Sequence, residues 1–368
     1  MLTLDEIRDL QFVFIIGKGR SGTSLLQTIL DTHPNVLSTM ESPFIILLKK
    51  KYFHLKKWES HNIDAFISDL YEEKKFKHLW NIDSKELRRF IDQYPLNELN
   101  FGILCKLIYL NFPSPFKKEK ISLLIDKNPS YSIFIKELWE VFPDAKFIHL
   151  IRDYRDNIIS SRKAFGHKNI ALTAQTWVIY NTIIDTLKEK HPNKFFTIRY
   201  EDLVTSPENF IPEICHFLDV SFRKEMFDFH LKTSDLFHEK KSENKILTDV
   251  INTIHLNLLN PINTTQINNW KNELTQSEIQ IAEYIAGNTG KKYDYYQTTN
   301  IRKFNYFYIS SKTYLQLKLN NWITINYYKS PSFIRNILKS FSTSLFKWFN
   351  FTTRYNKAEL QLKKKLKK

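Results

Sequence analysis

Only seven of the 368 residues are glycine, and three of them fall within Gly17-Lys18-Gly19-Arg20-Ser21-Gly22. The preceding run, Phe12-Val13-Phe14-Ile15-Ile16, has the length and apolarity of a buried strand. From Thr23 to Leu30, apolar Leu25, Leu26, Ile29 and Leu30 recur at helical spacing. A strand that feeds a glycine loop and then a helix aims bare backbone N–H groups and a positive helix end at an anion. An ordinary tight strand-to-helix turn is the other use of such a loop.

The anion can be narrowed. A nucleoside-triphosphate loop has Gly, four residues, then Gly-Lys-Ser/Thr. The spacing from Gly17 to Gly22 fits, but Thr23 stands in the lysine position. The cation has moved into the loop, to Arg20, with Lys18 nearby. A kinase or NTPase is thereby disfavoured, and another phosphate-bearing donor is favoured.

Further signals extend this unit. The first helix is expected to end at His33-Pro34, because proline disfavours a helical residue before it. Residues 44–118 are predicted to form helices over 44–58, 63–76, 84–94 and 101–112, with Asp83 and Glu86 spaced as a capping box. This insertion would cover a sheet edge or build an acceptor pocket. Strands are predicted at 121–125, 145–151 and 195–199, and helices at 133–142, 157–165, 171–190, 207–218 and 275–286. Strands alternating with helices predict an α/β fold, a parallel sheet with helices on both faces. Such sheets bind ligands at the carboxyl ends of their strands. Arg20, Lys127, Arg152 and Tyr200 each follow a predicted strand, so they are expected on one rim. Residues 222–262 show no clear period, and His230, His238 and His255 lack paired ligand spacing, so no metal site is expected. Cys105 and Cys215 are far apart in sequence and are expected to be buried thiols, in keeping with a reducing compartment.

Charge divides the chain. The net charge of +15 is concentrated after residue 300, where 15 Lys/Arg face one acidic residue, Glu359. Residues 1–300 hold 39 basic and 38 acidic residues, a balance that argues against a broadly basic nucleic-acid face. Residues 1–300 are expected to be the catalytic domain and 301–368 a basic, aromatic-rich tail. Phe333, Ile334, Ile337, Leu338, Phe341, Leu345 and Trp348 share one helical face, and the chain ends Lys363-Lys364-Lys365-Leu366-Lys367-Lys368. Basic residues beside such a face suit peripheral attachment to an anionic membrane surface. Packing on the body or on a second subunit is the competing use. The N-terminus shows no secretory-signal pattern, and a cytoplasmic location is expected.

Over about residues 10–295, the chain resembles the sulfotransferases that use 3′-phosphoadenosine 5′-phosphosulfate. Arg20-Ser21-Gly22-Thr23-Ser24-Leu25-Leu26 is similar to that family's phosphosulfate loop. Its helix ends in His33-Pro34, as in the branch containing bacterial and tyrosylprotein sulfotransferases. Arg152, Asp156 and Ser160 match the 3′-phosphate motif, and Tyr200-Glu201-Asp202-Leu203 and Trp270 match further signatures.

The resemblance implies roles. Ser21, Gly22, Thr23 and Ser24 would offer amides to the 5′-phosphosulfate. Arg20 would neutralise the bridging oxygen as its bond to sulfur breaks. Arg152 and Ser160 would grip the 3′-phosphate, with Tyr200 beside the cofactor. Asp156 would cap and orient rather than touch ligand. In the tyrosylprotein branch a glutamate follows the loop arginine by 21 residues, which selects Glu41 as general base. The small-molecule branch uses a histidine, for which His54 and His149 are candidates. Lys127 in Asp126-Lys127-Asn128-Pro129 would support charge on the transferring sulfuryl group. The implied reaction is direct in-line displacement to a hydroxyl of a lipid, sterol, glycan or other alcohol or phenol, without a metal. The segment 261–265 should lie near the 3′-phosphate, but its matching cation is missing or shifted. A phosphotransferase, or a non-catalytic membrane or glycan adaptor that keeps the fold, is the alternative. Acceptor and oligomeric state stay open.

Overall fold

The computed structural model describes residues 2–231 and 256–299, with isolated positions between 315 and 334. The tail's apolar face and lysine run, together with His238 and His255, therefore lie outside the described residues, apart from Ile334.

The elements run α1 (Leu4–Asp9), β1 (Gln11–Ile16), α2 (Thr23–Asp31), β2 (Val36–Thr39), α3 (Phe44–Tyr52), α4 (Ser60–Glu72), α5 (Lys74–Leu79), α6 (Ser84–Ile91) and α7 (Phe101–Leu110). They continue through β3 (Leu123–Lys127), α8 (Ile135–Val141), β4 (Lys146–Ile151), α9 (Tyr154–Phe165), α10 (Ile170–Lys190), β5 (Phe195–Arg199), α11 (Tyr200–Thr205) and α12 (Pro207–Phe217). Then come α13 (Trp270–Glu273) and α14 (Gln276–Lys292).

The strands form one parallel sheet in the order β2-β3-β1-β4-β5. Register places Ile15 opposite Lys127, Ile16 opposite His149, Thr39 opposite Asp126 and Ile151 opposite Arg199. The carboxyl ends of all five strands therefore share one edge. Successive side chains of β1 point to opposite faces. Phe12, Phe14 and Ile16 join one core with Phe44, Trp58, Trp80, Tyr109 and Phe142. Val13 and Ile15 join the other with Leu26, Ile29, Leu30, Ile211 and Ile214. Helices α3–α7 pack on the first face, where Tyr109 lies edge-on to Phe12 at 4.9 Å between ring centroids. A third core links α9, α10, α13 and α14 through Tyr154, Trp177 and Trp270.

The expected α/β architecture is present, with local differences. β2 has no predicted counterpart, because four residues are too few to show a period. β3 runs two residues later than expected, since Asp126 and Lys127 still pair with neighbouring strands. The predicted helix 63–76 is two helices, broken at Glu73, whose side chain accepts from the Lys75 and Phe76 amides and starts α5. Helix 133–142 divides into a 3-10 turn, Pro129–Ile133, and α8. α9 starts at Tyr154 rather than 157, with Asp153 as its cap. α14 opens on a Thr275–Glu278 capping box and continues past residue 286, kinked at Gly287. Both cysteines are buried free thiols. No helix among the described residues is long and apolar enough to cross a membrane.

Candidate active site

The glycine loop is set by contacts that tolerate no side chain. Gly17 has φ +134°, and a Cβ there would sit 2.2 Å from the Leu150 carbonyl oxygen. Its N–H donates to Ser132 Oγ at 2.9 Å. Gly22 has φ +95° and lies against the Tyr200 ring, where a Cβ would come within 2.4 Å of Cδ2. Gly22 also precedes α2 in left-handed conformation, and no side chain caps that helix. The start of α2 therefore keeps its orphan amides and dipole for an anion.

Three elements meet at this loop. Arg20 Nε donates to Ser160 Oγ of α9 at 3.2 Å. Arg152, just beyond β4, donates through Nη1 to the Arg20 carbonyl at 3.2 Å and through Nη2 to the Gln266 carbonyl at 2.5 Å. Its guanidinium lies 4.7 Å from the Tyr200 ring centroid, and its buried Nε has no partner. A salt bridge from Arg152 to Asp153 or Asp156 does not form. Asp153 instead holds Arg155, at 2.7 Å. Asp156 does not cap α9 as expected, since Asp153 holds that place; it accepts the Asn268 and Trp270 amides at 2.8 and 2.9 Å, fastening residues 268–270 to α9.

The charge of this corner is unbalanced. Among the described residues, no carboxylate makes an ion pair with Lys18, Arg20 or Arg152. Desolvation, then the neighbouring Arg20, pushes the Lys18 ammonium down to about 8. Desolvation and Arg152 likewise lower Arg20, against the attraction of Glu41. Cations crowded without counter-charge are what an anion would stabilise.

The second half of the site is built on Glu41, in the link between β2 and α3. Lys127 Nζ contacts its Oε1 at 2.8 Å, and Lys75 Nζ contacts its Oε2 at 2.9 Å. Burial alone would raise this carboxyl, but the two ammonium groups override it and hold it well below the ordinary range. The Lys127 side chain is only 6% exposed, so it is not a surface lysine. Asp126 faces the other way, accepts from Tyr109 Oη at 2.5 Å, and is pushed up to about 7 by burial.

Of the sequence-predicted residues, Arg20, Ser21, Gly22, Thr23, Ser24, Arg152, Ser160 and Tyr200 meet around the loop. Glu41 and Lys127 form the adjacent ion pair. His149 sits apart: it is fully buried with Nε2 on Asn181 Oδ1, and burial pushes it down to about 4. His54 is exposed. Two participants were missed. Asn157 Nδ2 donates to the Gly19 carbonyl at 2.9 Å and reaches Ser21 Oγ at 3.2 Å, bracing the loop from α9. Lys75 comes from the helical insertion, and nothing in its local sequence ties it to Glu41.

Comparison with known proteins establishes the family. Protein-tyrosine sulfotransferase of Drosophila melanogaster is 25% identical over 288 residues, covering 76% of this chain and 50% of its own length. An omega-hydroxy-beta-dihydromenaquinone-9 sulfotransferase of Mycobacterium tuberculosis is 22% identical over 237 residues, covering 53% of this chain and 59% of its own length. The chain thus spans about half the length of the curated relatives it matches. Among solved structures, the sulfotransferase domain of the Synechococcus olefin synthase aligns with a TM-score of 0.49 and 22% identity, over 75% of this chain and 94% of that domain. A family model described as the sulfotransferase family matches residues 12–224, more than half of the 368 residues. This chain belongs to the sulfotransferase family.

Proposed function

We propose that the chain moves a sulfuryl group from 3′-phosphoadenosine 5′-phosphosulfate to a hydroxyl of an acceptor. The observation that carries this is the Arg20–Ser160–Arg152 cluster: two hydrogen-bonded cationic elements at a glycine loop, with no carboxylate partner and a buried guanidinium N–H unpaired. A ligand with phosphate groups at both ends suits that cluster. The orphan amides at the start of α2 and Arg20 would hold the 5′ end, and Arg152 with Ser160 the 3′-phosphate. The donor supplies the sulfuryl group already activated on a phosphate.

The chain's own residues do the rest. Glu41, ionised between its two lysines, takes the proton of the acceptor hydroxyl as that oxygen approaches sulfur. Lys127 carries its ammonium toward the charge that builds on the transferring group. Arg20 offsets charge on the departing phosphate oxygen, an effect commonly worth about 3–4 kcal/mol per preorganised donor. Helices α3–α7 stand beside Glu41 and would line the acceptor pocket. The named relatives act on a protein tyrosine and on a hydroxylated menaquinone, a phenol and an alcohol. Lipid, sterol, glycan or other hydroxyl acceptors all fit this chemistry. Contact with an anionic membrane through residues 301–368 belongs to the same proposal and rests on their charge of +14. Vesicle sedimentation of the full and tail-less chains tests it.

Calorimetric titration tests the donor. Wild-type protein and Arg152→Ala are titrated with 3′-phosphoadenosine 5′-phosphate and with ATP-magnesium. Bisphosphate binding that Arg152→Ala loses supports the proposal. Binding of ATP alone overturns it in favour of phosphoryl transfer, and bisphosphate binding without turnover over an acceptor screen points to an adaptor.

A further inference from the structure

Three consecutive residues, Met40, Glu41 and Ser42, are each held by α5 or its caps. Trp80 Nε1, at the C-terminal end of α5, donates to the Met40 carbonyl at 3.0 Å. Lys75 Nζ contacts Glu41 Oε2 at 2.9 Å. Ser42 Oγ donates at 2.6 Å to Glu73 Oε2, the same carboxylate that caps α5 through the Phe76 amide at 2.7 Å. Trp80 cannot drift, since it is fully buried against Phe44, Phe76 and Tyr109. A six-residue helix of the insertion thus splints the segment that carries the carboxylate.

The two oxygens of Glu41 are gripped from different parts of the molecule. Oε1 belongs to Lys127, at the end of β3 on the sheet's ligand-binding edge. Oε2 belongs to Lys75, on the insertion, with its side chain 39% exposed. We infer that Lys75 is a positioning residue: α5 keeps the Glu41 carboxylate ionised and aimed while Lys127 is left to serve the transferring group. This rests on the sulfuryl-transfer reading for its chemistry, but its electrostatic core is independent of donor and acceptor.

The charged groups around Glu41 can be named from every side. Lys127 comes from β3, Lys75 from α5 and Arg20 from the glycine loop, while Asp126, turned away toward Tyr109, acts on it only through space. Burial is the largest single influence on Glu41 and opposes ionisation, and Lys127 and Lys75 together outweigh it. With Lys75 gone, Lys127 alone would be left to oppose burial.

The test reads Glu41 directly. Protein labelled with 13C at glutamate carboxyls is titrated from neutral to acid, and Glu41→Gln assigns the signal. Wild type should show no Glu41 titration while folded. Lys75→Met should raise the Glu41 midpoint far enough for its titration to be seen while the protein is folded. Lys75→Arg, which keeps charge and reach, should behave as wild type. Thermal melting checks that each variant is folded. No Glu41 titration in folded Lys75→Met, or a Lys75→Arg that titrates like Lys75→Met, overturns the inference. Calorimetry with 3′-phosphoadenosine 5′-phosphate separates the two claims: Lys75→Met should bind it as wild type does. Failure of wild type to bind it strikes the donor assignment and leaves the Lys75 titration result standing.

Discussion

Arg152 donates to the backbone carbonyl of Arg20 at 3.2 Å, fastening the end of β4 to the loop that follows β1. The bond holds two guanidinium groups in one corner, and their repulsion is felt at Arg20. With no carboxylate in ion-pair contact among the described residues, the corner is preorganised for an anion.

Arg152→Ala should therefore weaken binding of 3′-phosphoadenosine 5′-phosphate by about tenfold to a hundredfold, the worth of one charge-assisted hydrogen-bonded group. Arg152→Lys should restore little, because a point ammonium cannot donate to Gln266 and Arg20 and still present a fork. Calorimetric Kd values check both.

Glu41→Gln should lower sulfuryl transfer by about 10²–10⁴-fold while leaving bisphosphate binding in place. Its folded carboxyl sits below the unfolded value, so it stabilises the fold above the unfolded pKa, near 4.5, and that stability is lost as pH falls toward the folded one. Urea unfolding across the acid range should show a shallower decline for Glu41→Gln than for wild type.

Asp126 has the opposite sign. Burial raises its folded pKa to about 7, well above the ordinary aspartate value. Between those values the unfolded chain gives up the proton and the folded one keeps it, so this group lowers stability as pH rises toward 7. Asp126→Asn should remove that slope and be more stable at pH 7–8, by on the order of a few kcal/mol. Unfolding free energies at pH 5 and pH 8 would reveal it. A variant less stable than wild type at pH 8 would instead mean that the Tyr109 bond to an ionised Asp126 dominates.

Gly17→Ala should be among the most damaging small substitutions in the chain. The new methyl meets a backbone carbonyl 2.2 Å away, at φ +134°, and neither can yield cheaply. A loss of at least about 2 kcal/mol is expected, together with loss of bisphosphate binding. Gly19→Ala, where a Cβ would meet only Pro129 Cβ at 4.0 Å, is the matched control.

Much of this site was legible in sequence because its signals are local. Glycine clustering, the apolar run before it and helical spacing after it concern residues within a few positions of one another. The same holds for Thr275 capping α14. The sequence suggests Asp156 as the cap of α9, whereas the structure gives that place to Asp153, three residues earlier. Val36–Thr39 was invisible as a strand because its identity comes from pairing with β3. Asn157 carried no local mark either. Its role exists only because α9 packs beside the loop 136 residues earlier, where it reaches Ser21.

By itself, the sequence determined the strand–loop–helix unit, the alternation that demands a parallel sheet, and the placing of Arg20, Lys127 and Arg152 at or just beyond strand ends. Only the tertiary structure decided that Arg152 binds the Arg20 carbonyl rather than Asp153, and that Glu41 is shared between Lys127 and Lys75. The physical reason is range. Backbone conformation and side-chain period act between neighbours. The choice of partner, ionic across 34 or 86 residues of chain and hydrogen-bonded across 132, is made by which helices the apolar cores press against which strand ends.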